Sequence, residues 1–153
     1  MKIRRRRSGR RGQTDQVQEG PTVLSVIEGM EKDRGAVMAQ LRDMALSLPD
    51  VEERTLYDGW CREWTPAYYV GSRQLFHVHN FSSGLRATVF VGVNTLEPWL
   101  LDSEEVAYEL RLLVARTHGH RTKMVKVPLA SVEDLAPFVD LVRVKWRFVT
   151  GGP

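Results

Sequence analysis

The four histidines of this chain form two His-x-His pairs, His77 with His79 and His118 with His120. In a β-strand, residues two apart project from the same face, so His77 and His79 can present two imidazole rings to one ion. A tetrahedral site needs three or four ligands, however, and the sequence does not set the distance between the second pair and the strand that carries the first. Two interpretations stay open: a divalent transition metal held by His77 and His79, or solvated and structural histidines.

Aromatic residues are densest between residues 57 and 76, beside Arg62 and Arg73. Aromatic rings next to arginines can stack on a planar ligand. They also favour strands and dominate the cores of small domains. Because the region around Trp60 and Trp64 has no clear period, we expect some rings to line a ligand-binding groove. The candidate groove residues are Trp60, Trp64, Tyr68, Tyr69 and His77.

The sequence offers no credible set of catalytic residues. Cys61 is the single cysteine, which fits a reducing cytosol, and no base is predicted beside it to activate the thiol. A charged turn between a helix and a strand explains the carboxylates of Glu52, Glu53 and Asp58 as well as a general acid and base would. Phosphate-loop, dinucleotide and zinc-ribbon motifs are absent from the sequence. We therefore predict a non-enzymatic binding domain without a required cofactor, whose partner is an unidentified small molecule or protein.

The basic charge of the chain lies in its first residues. Of 22 basic and 19 acidic side chains, residues 1–20 hold seven and two, so the remainder holds 15 and 17 and is mildly acidic. Such a segment cannot bury enough apolar surface to order itself, and we expect a disordered arm. The arm either is merely solvating or binds nucleic acid weakly and without sequence preference. The candidate phosphate contacts are Arg4, Arg5, Arg6, Arg7, Arg10 and Arg11.

Residues 21–153 are predicted to form one α+β domain, with elements in the order α-α-β-β-β(-β)-α-β-α. Apolar spacing of three and four predicts two helices before Pro49, separated by Gly35. Asp102 with Glu105 resembles a capping box that opens a later helix. Alternating segments predict a meander of antiparallel strands, and the final helix is expected from about Ala136 to Phe148. The clearest strands are 67–70, 73–80, 85–93 and 122–127, the second and third joined as a hairpin.

Several sequence landmarks resemble the YdhG-like group of small bacterial domains. They are Leu41-Arg42 to Leu48-Pro49-Asp50, Glu52-Glu53 leading to Tyr57-Asp58-Gly59, Thr65-Pro66-Ala67-Tyr68-Tyr69 before the strand Leu75 to His79, and Lys126-Val127-Pro128-Leu129 before a helix with Leu135, Leu141, Val142 and Lys145. The resemblance implies a curved antiparallel sheet of about five strands with helices mainly on one face. Some relatives are described as similar to frataxin-type iron chaperones, which adds a metal carrier using His77 and His79 as an alternative function. The segment 60–64 departs from the group's commonest pattern.

The location of the protein is expected to be cytoplasmic, without membrane contact. No apolar run reaches the 18 or more residues typical of a membrane span. The arginines are followed by a polar stretch, 13–20, where a secretory signal would need an apolar segment.

The arm hypothesis predicts that nucleic-acid binding is confined to residues 1–20. With about six phosphate contacts, affinity for duplex DNA should fall on the order of a thousandfold between 50 and 200 mM salt. A chain that begins at Gly20 should not bind in the same fluorescence-anisotropy titration. Salt-sensitive binding retained by this shortened chain would place the contact on the folded domain and contradict the hypothesis.

Overall fold

The computed structural model describes residues 20–151, so the arm expected over residues 1–20 lies, apart from Gly20, outside them. The elements are five helices and five strands, with a 3-10 turn at Val132–Asp134. In chain order they are α1 (Val23–Glu28), α2 (Lys32–Leu46), β1 (Val51–Asp58), β2 (Glu63–Val70), β3 (Arg73–Phe81), β4 (Gly84–Gly92), α3 (Leu96–Asp102), α4 (Tyr108–Arg116), β5 (Thr122–Leu129) and α5 (Leu135–Thr150).

The five strands form one sheet in the order β1-β2-β3-β4-β5, with every neighbouring pair antiparallel. The predicted α+β class, the strand meander and the β3–β4 hairpin are confirmed. In β5 buried and exposed residues alternate strictly, because the period of a strand is two. Its buried residues, Lys123, Val125, Val127 and Leu129, lie on the face that packs against the helices, which we call the helix face.

Helix α5 supplies the centre of the core. Phe138, Leu141 and Val142 are almost fully buried. Leu141 and Val142 follow Phe138 by three and four residues, so the buried residues form one stripe of the helix, which faces the sheet. The Phe138 ring meets Phe76 edge to face at 5.1 Å, and Phe76 stacks on Tyr68 at 4.8 Å. Burying rings of this size contributes about 2 to 3 kcal/mol each. No helix within residues 20–151 is long and apolar enough to cross a bilayer.

Gly35 does not separate two helices, contrary to the expectation from the sequence. The break falls earlier, because the Glu31 carboxylate caps α2 by accepting the backbone N–H groups of Asp33 and Arg34. Gly35 lies within α2, where a Cβ would come 3.3 Å from the carbonyl oxygen of Ile27. The glycine therefore allows α1 and α2 to approach closely.

The predicted capping box at Asp102 and Glu105 is also wrong. Asp102 ends α3, a helix that the sequence pattern did not predict, and the next helix begins only at Tyr108. Pro98 lies in the first turn of α3, where a proline favours the start of a helix. The burial of Leu96 and Leu100 then fixes α3 against the core.

Strand β3 changes partner at His77. Its residues 73–77 pair with β2, whereas residues 77–81 pair with β4. His77 is the one β3 position that pairs with both neighbours, Ala67 and Thr88. On β2 the pairing with β3 ends at Ala67, and the residue before it, Pro66, has no N–H to donate. The sheet is consequently open between β3 and β4 at one end and between β2 and β3 at the other.

A β-bulge at Leu75 determines which side chains face these openings. Tyr68 pairs with Phe76 and Tyr69 with Gln74, so Leu75 is an extra residue in β3. Leu75 and Phe76 are both 0% exposed, which strict alternation would not allow. The bulge turns Gln74 to the same face as His77, opposite the helix face.

The interior also contains a compensated charge. Lys123 is 5% exposed, and its Nζ lies 2.6 Å from Glu97 Oε1 and donates to the Val114 carbonyl at 2.8 Å. Removing one partner of a buried ion pair leaves the other charge without compensation, which costs far more than losing a surface pair.

We predict that Glu97→Gln destabilises the protein by about 3 kcal/mol, because the Lys123 ammonium stays buried without its counter-charge. Thermal unfolding should show a midpoint lower by roughly 10 °C. The matched control is Asp140→Asn in the exposed Asp140–Arg143 pair, where the loss should stay below about 1 kcal/mol. Equal, small losses in both variants would contradict the assignment.

Candidate functional site

The opening between β3 and β4 forms a cavity of about 340 Å³, which we call the β3–β4 cleft. Its volume lies at the lower end of the range typical of small-molecule sites. The walls come from the start of β3, the end of β4, the start of β5 and the last turns of α5. The lining residues are Arg73, Gln74, Phe90, Gly92, Thr95, Leu96, Thr122, Lys145, Phe148 and Val149.

Lys145 is the most unusual residue of the cleft. Its side chain is carried into the cleft by the buried stripe of α5, the residue is 6% exposed, and Nζ donates to the Phe90 carbonyl at 2.7 Å. Within residues 20–151 no carboxylate pairs with it. Burial, followed by repulsion from Arg73, lowers the pKa of Lys145 to about 8.

The two buried lysines differ in their compensation. Lys123 has the Glu97 carboxylate at 2.6 Å, whereas Lys145 has one neutral carbonyl and a second cation nearby. An unpaired buried ammonium is costly, and a core helix would be more stable with an apolar residue at this position. An anion bound beside Lys145 would supply the counter-charge that the described residues do not provide.

Arg73 provides the second positive charge of the cleft. The Leu75 bulge leaves Arg73 on the helix face, where its guanidinium lies 5.7 Å from the centre of the Phe148 ring. The side chain is exposed, so the charge reaches solvent at the mouth of the cleft. Together, Arg73 and Lys145 can attract a small anion, while Phe90 and Phe148 offer apolar contact.

A chain of hydrogen bonds connects the cleft with the other face of the sheet. Gln74 Nε2 donates to the Tyr69 hydroxyl at 3.1 Å, and His77 Nδ1 lies 2.8 Å from Gln74 Oε1. The amide oxygen accepts, so Nδ1 of His77 carries the proton of the neutral ring. Burial, followed by the proximity of His79, lowers the pKa of His77 to about 4. His77 is thus neutral at physiological pH.

A second group of polar side chains occupies the opening between β2 and β3. Ligand atoms of Asp58, Cys61 and His79 all lie within 4.8 Å of one another, and we call these three residues the Asp58 cluster. Asp58 ends β1, Cys61 lies in the β1–β2 turn and His79 lies on β3. Glu63 of β2 stands beside the cluster, with Oε1 3.2 Å from His79 Nδ1.

The β1–β2 turn positions the first two members of this cluster. One Asp58 oxygen, Oδ1, accepts the backbone N–H groups of Trp60 at 2.9 Å and Cys61 at 3.3 Å. These two bonds lower the pKa of Asp58, so the carboxylate is charged at neutral pH. Desolvation, together with Asp58 and Glu63, raises the pKa of Cys61.

The five predicted groove residues do not share one surface. Trp60 is 98% exposed at the β1–β2 turn, and Tyr68 is fully buried in the core. Trp64 lies on the helix face beside Tyr57, with ring centroids 5.4 Å apart. Tyr69 and His77 meet on the opposite face through Gln74, next to the β3–β4 cleft.

The two histidine pairs do not come together as ligands of one site in the described residues. His77 and His79 share a face, as predicted, with ring centroids 5.0 Å apart. His118 and His120 are exposed in the segment before β5. In the described part of the chain, the one group of three or more ligand side chains within 4.8 Å is the Asp58 cluster, which contains His79 alone of the four histidines.

Lys145, Arg73 and Gln74 were not identified as site residues from the sequence. A signal existed for Lys145, which falls three and four residues after Val142 and Leu141 on the apolar stripe of α5. A second signal was the consecutive apolar pair Leu75 and Phe76 in an otherwise alternating strand, which is typical of a bulge.

Comparison of the chain with protein-family models, with curated proteins and with solved structures gives no match.

The lowered pKa of His77 predicts an acid-dependent loss of stability. The unfolded chain takes up this proton near pH 6.5, whereas the folded protein resists it until about pH 4, so stability falls as pH drops through that window. His77→Gln should lose less stability than the natural protein between pH 6.5 and 4, by roughly 4 °C in melting midpoint or about 1 kcal/mol. Thermal melts across this pH range, followed by circular dichroism, measure the difference.

The matched control is His120→Gln, at an exposed histidine, which should follow the pH profile of the natural protein. If His77→Gln and the natural protein gave the same pH profile, the pKa of His77 would not be lowered, which would contradict the burial of its ring.

Proposed function

We propose that this protein is a non-enzymatic binding domain that holds a small anion in the β3–β4 cleft. The observation that supports the proposal is Lys145, an ammonium group buried at the cleft without a carboxylate partner among residues 20–151. A bound anion supplies the missing counter-charge. The cost of burying Lys145 is then offset in the bound state, which makes binding favourable.

The ligand class follows from the lining of the cleft. Lys145 and Arg73 face a carboxylate or phosphate group, and hydroxyls of Thr95 and Thr122 add hydrogen-bonding capacity. Phe90 and Phe148 contact an apolar or aromatic body. A volume of about 340 Å³ suits a compact molecule. An organic acid with a small apolar group matches these features best.

Binding rather than catalysis is favoured by the side chains that line the cleft. The lining residues include no carboxylate, imidazole or thiol, so the cleft has no conventional pair for proton transfer. Lys145 Nζ donates to the Phe90 carbonyl, which holds the ammonium in place as a charge. A ligand-binding role requires no more than this fixed charge and the apolar walls.

The wider proposals rest on the sequence. Membership of the YdhG-like group and a cytoplasmic location agree with a small binding domain of this size. The nucleic-acid alternative concerns the arginines of the arm, which lie outside the described residues. The metal-carrier alternative with His77 and His79 is weakened by the lack of a third ligand, because the one group of three or more ligand side chains among residues 20–151 contains His79 without His77.

Binding is tested by titrating the full chain with benzoate and hexanoate, using benzamide and hexanamide as neutral analogues of matched shape. The acids should raise the melting midpoint, by about 2.7 kcal/mol of added stability at a hundredfold excess over Kd, and the amides should not. Calorimetric affinity for the acids should fall as pH rises through about 8, where Lys145 loses its proton.

Lys145→Met separates function from stability. The variant should lose the response to the acids and yet be more stable at pH 7 by about 1 to 3 kcal/mol, because it no longer buries an unpaired charge. Lys126→Gln, at an exposed lysine of β5, is the control and should bind as the natural protein does. A Lys145→Met variant that binds the acids normally would contradict the proposal. A loss of stability in that variant would show that Lys145 has a structural role instead.

A further inference from the structure

The Asp58 cluster presents three different metal-binding groups to one point. They are a carboxylate from the end of β1, a thiol from the β1–β2 turn and an imidazole from β3, all with ligand atoms within 4.8 Å of one another. A metal bound tetrahedrally by oxygen, nitrogen and sulfur at about 2.0 to 2.3 Å has ligand atoms roughly 3.3 to 3.8 Å apart. Cys61 is exposed, so packing does not hold its side chain away from this spacing.

The contact between His79 and Asp58 has this spacing already. Nε2 of His79 lies 3.5 Å from Oδ2 of Asp58, which is long for a hydrogen bond but suitable for two ligands of one ion. The other carboxylate oxygen, Oδ1, accepts two backbone N–H groups, so its orientation is fixed by the turn. Oδ2 is left to face His79.

Glu63 orients the imidazole from the opposite side of the ring. Its Oε1 lies 3.2 Å from His79 Nδ1, and a carboxylate in this position accepts the Nδ1 proton. The ring is thereby oriented with Nε2 towards Asp58 Oδ2, which places a nitrogen and an oxygen donor on either side of one point. Metal-binding histidines in general are held by such a carboxylate on their other nitrogen.

We propose that Asp58, Cys61 and His79 bind a divalent transition metal, with Glu63 as the residue that positions His79. A set of one sulfur, one nitrogen and one oxygen donor suits Zn²⁺ in particular, because thiolate and imidazole together favour it over Mg²⁺ and Ca²⁺. Three protein ligands leave a fourth position for water or an added ligand. Arg86, opposite His79 on β4, places its guanidinium carbon 4.4 Å from the centre of the Phe81 ring.

This site differs from the metal site predicted from the sequence. That hypothesis relied on His77 with His79 and lacked a third ligand. The fold replaces His77 by Asp58 and Cys61, because β3 separates from β2 beyond His77 and the β1–β2 turn reaches the opening. The proposal is independent of anion binding in the β3–β4 cleft, since the two sites share no residue.

The test is a titration of the full, reduced chain with Co²⁺ and Zn²⁺. Co²⁺ should bind stoichiometrically at micromolar concentration with a thiolate charge-transfer absorption, and Zn²⁺ should displace it and raise the melting midpoint. Cys61→Ser should abolish the charge-transfer band. Because Cys61 is exposed, this variant should fold normally. Asp58→Asn, which keeps the Oδ1 acceptor, should weaken binding at least tenfold.

Two further variants separate this site from other metal contacts. Glu63→Gln should lower affinity by about 10- to 100-fold while keeping the absorption band, because Glu63 positions His79 without touching the metal. The double variant His118→Ala with His120→Ala should bind like the natural protein. Absence of the band in the natural protein, its retention in Cys61→Ser, or its loss in the double variant would each overturn the proposal.

Discussion

The change of partner along β3 is the constraint on which both candidate sites depend. A central strand normally pairs along its whole length with both neighbours, since unpaired backbone groups in the interior are costly. Here β3 pairs with β2 over residues 73–77 and with β4 over residues 77–81. The β3–β4 cleft and the opening that contains the Asp58 cluster lie at opposite ends of this strand. In the cleft, the Lys145 ammonium donates a hydrogen bond to the Phe90 carbonyl of β4. In the other opening, the side chains of Glu63 and His79 connect β2 and β3.

The balance of charge differs between the two openings and gives each its chemistry. The lining that residues 20–151 give the cleft combines Lys145 and Arg73 with no acidic side chain, so its field favours anions. The Asp58 cluster and Glu63 bring two carboxylates and a thiol to one histidine, which favours a cation. His77 lies between them, neutral and hydrogen bonded to Gln74, at the position where the two ladders meet. The basic and acidic groups of the two sites are therefore separated along β3.

Much of the fold was predictable, because it follows from periodicity. Strands β2 to β5 alternate or are bounded by turn residues, and α5 has a clear apolar stripe, so their order and type were correct. The predictions at Gly35 and Asp102 were wrong because the role of each residue depends on what packs beside it. Helix α1 approaches Gly35 closely, and the burial of Leu96 and Leu100 stabilises a helix, α3, that the sequence pattern did not predict. The site was much less predictable. The ladder breaks beside Pro66 and Leu75 arise from pairing between strands, and the periodicity of one strand does not report its neighbours' pairing.

Lys145 is a buried cation without a counter-charge among residues 20–151, and NMR titration of the lysine side-chain amine measures its pKa directly. We expect a midpoint of about 8 in the free protein, because burial disfavours the ammonium, and a higher midpoint when benzoate is added, because a bound anion stabilises the charged form. A midpoint near the ordinary lysine value of about 10.4 that does not respond to benzoate would show that Lys145 is not the binding charge of the cleft.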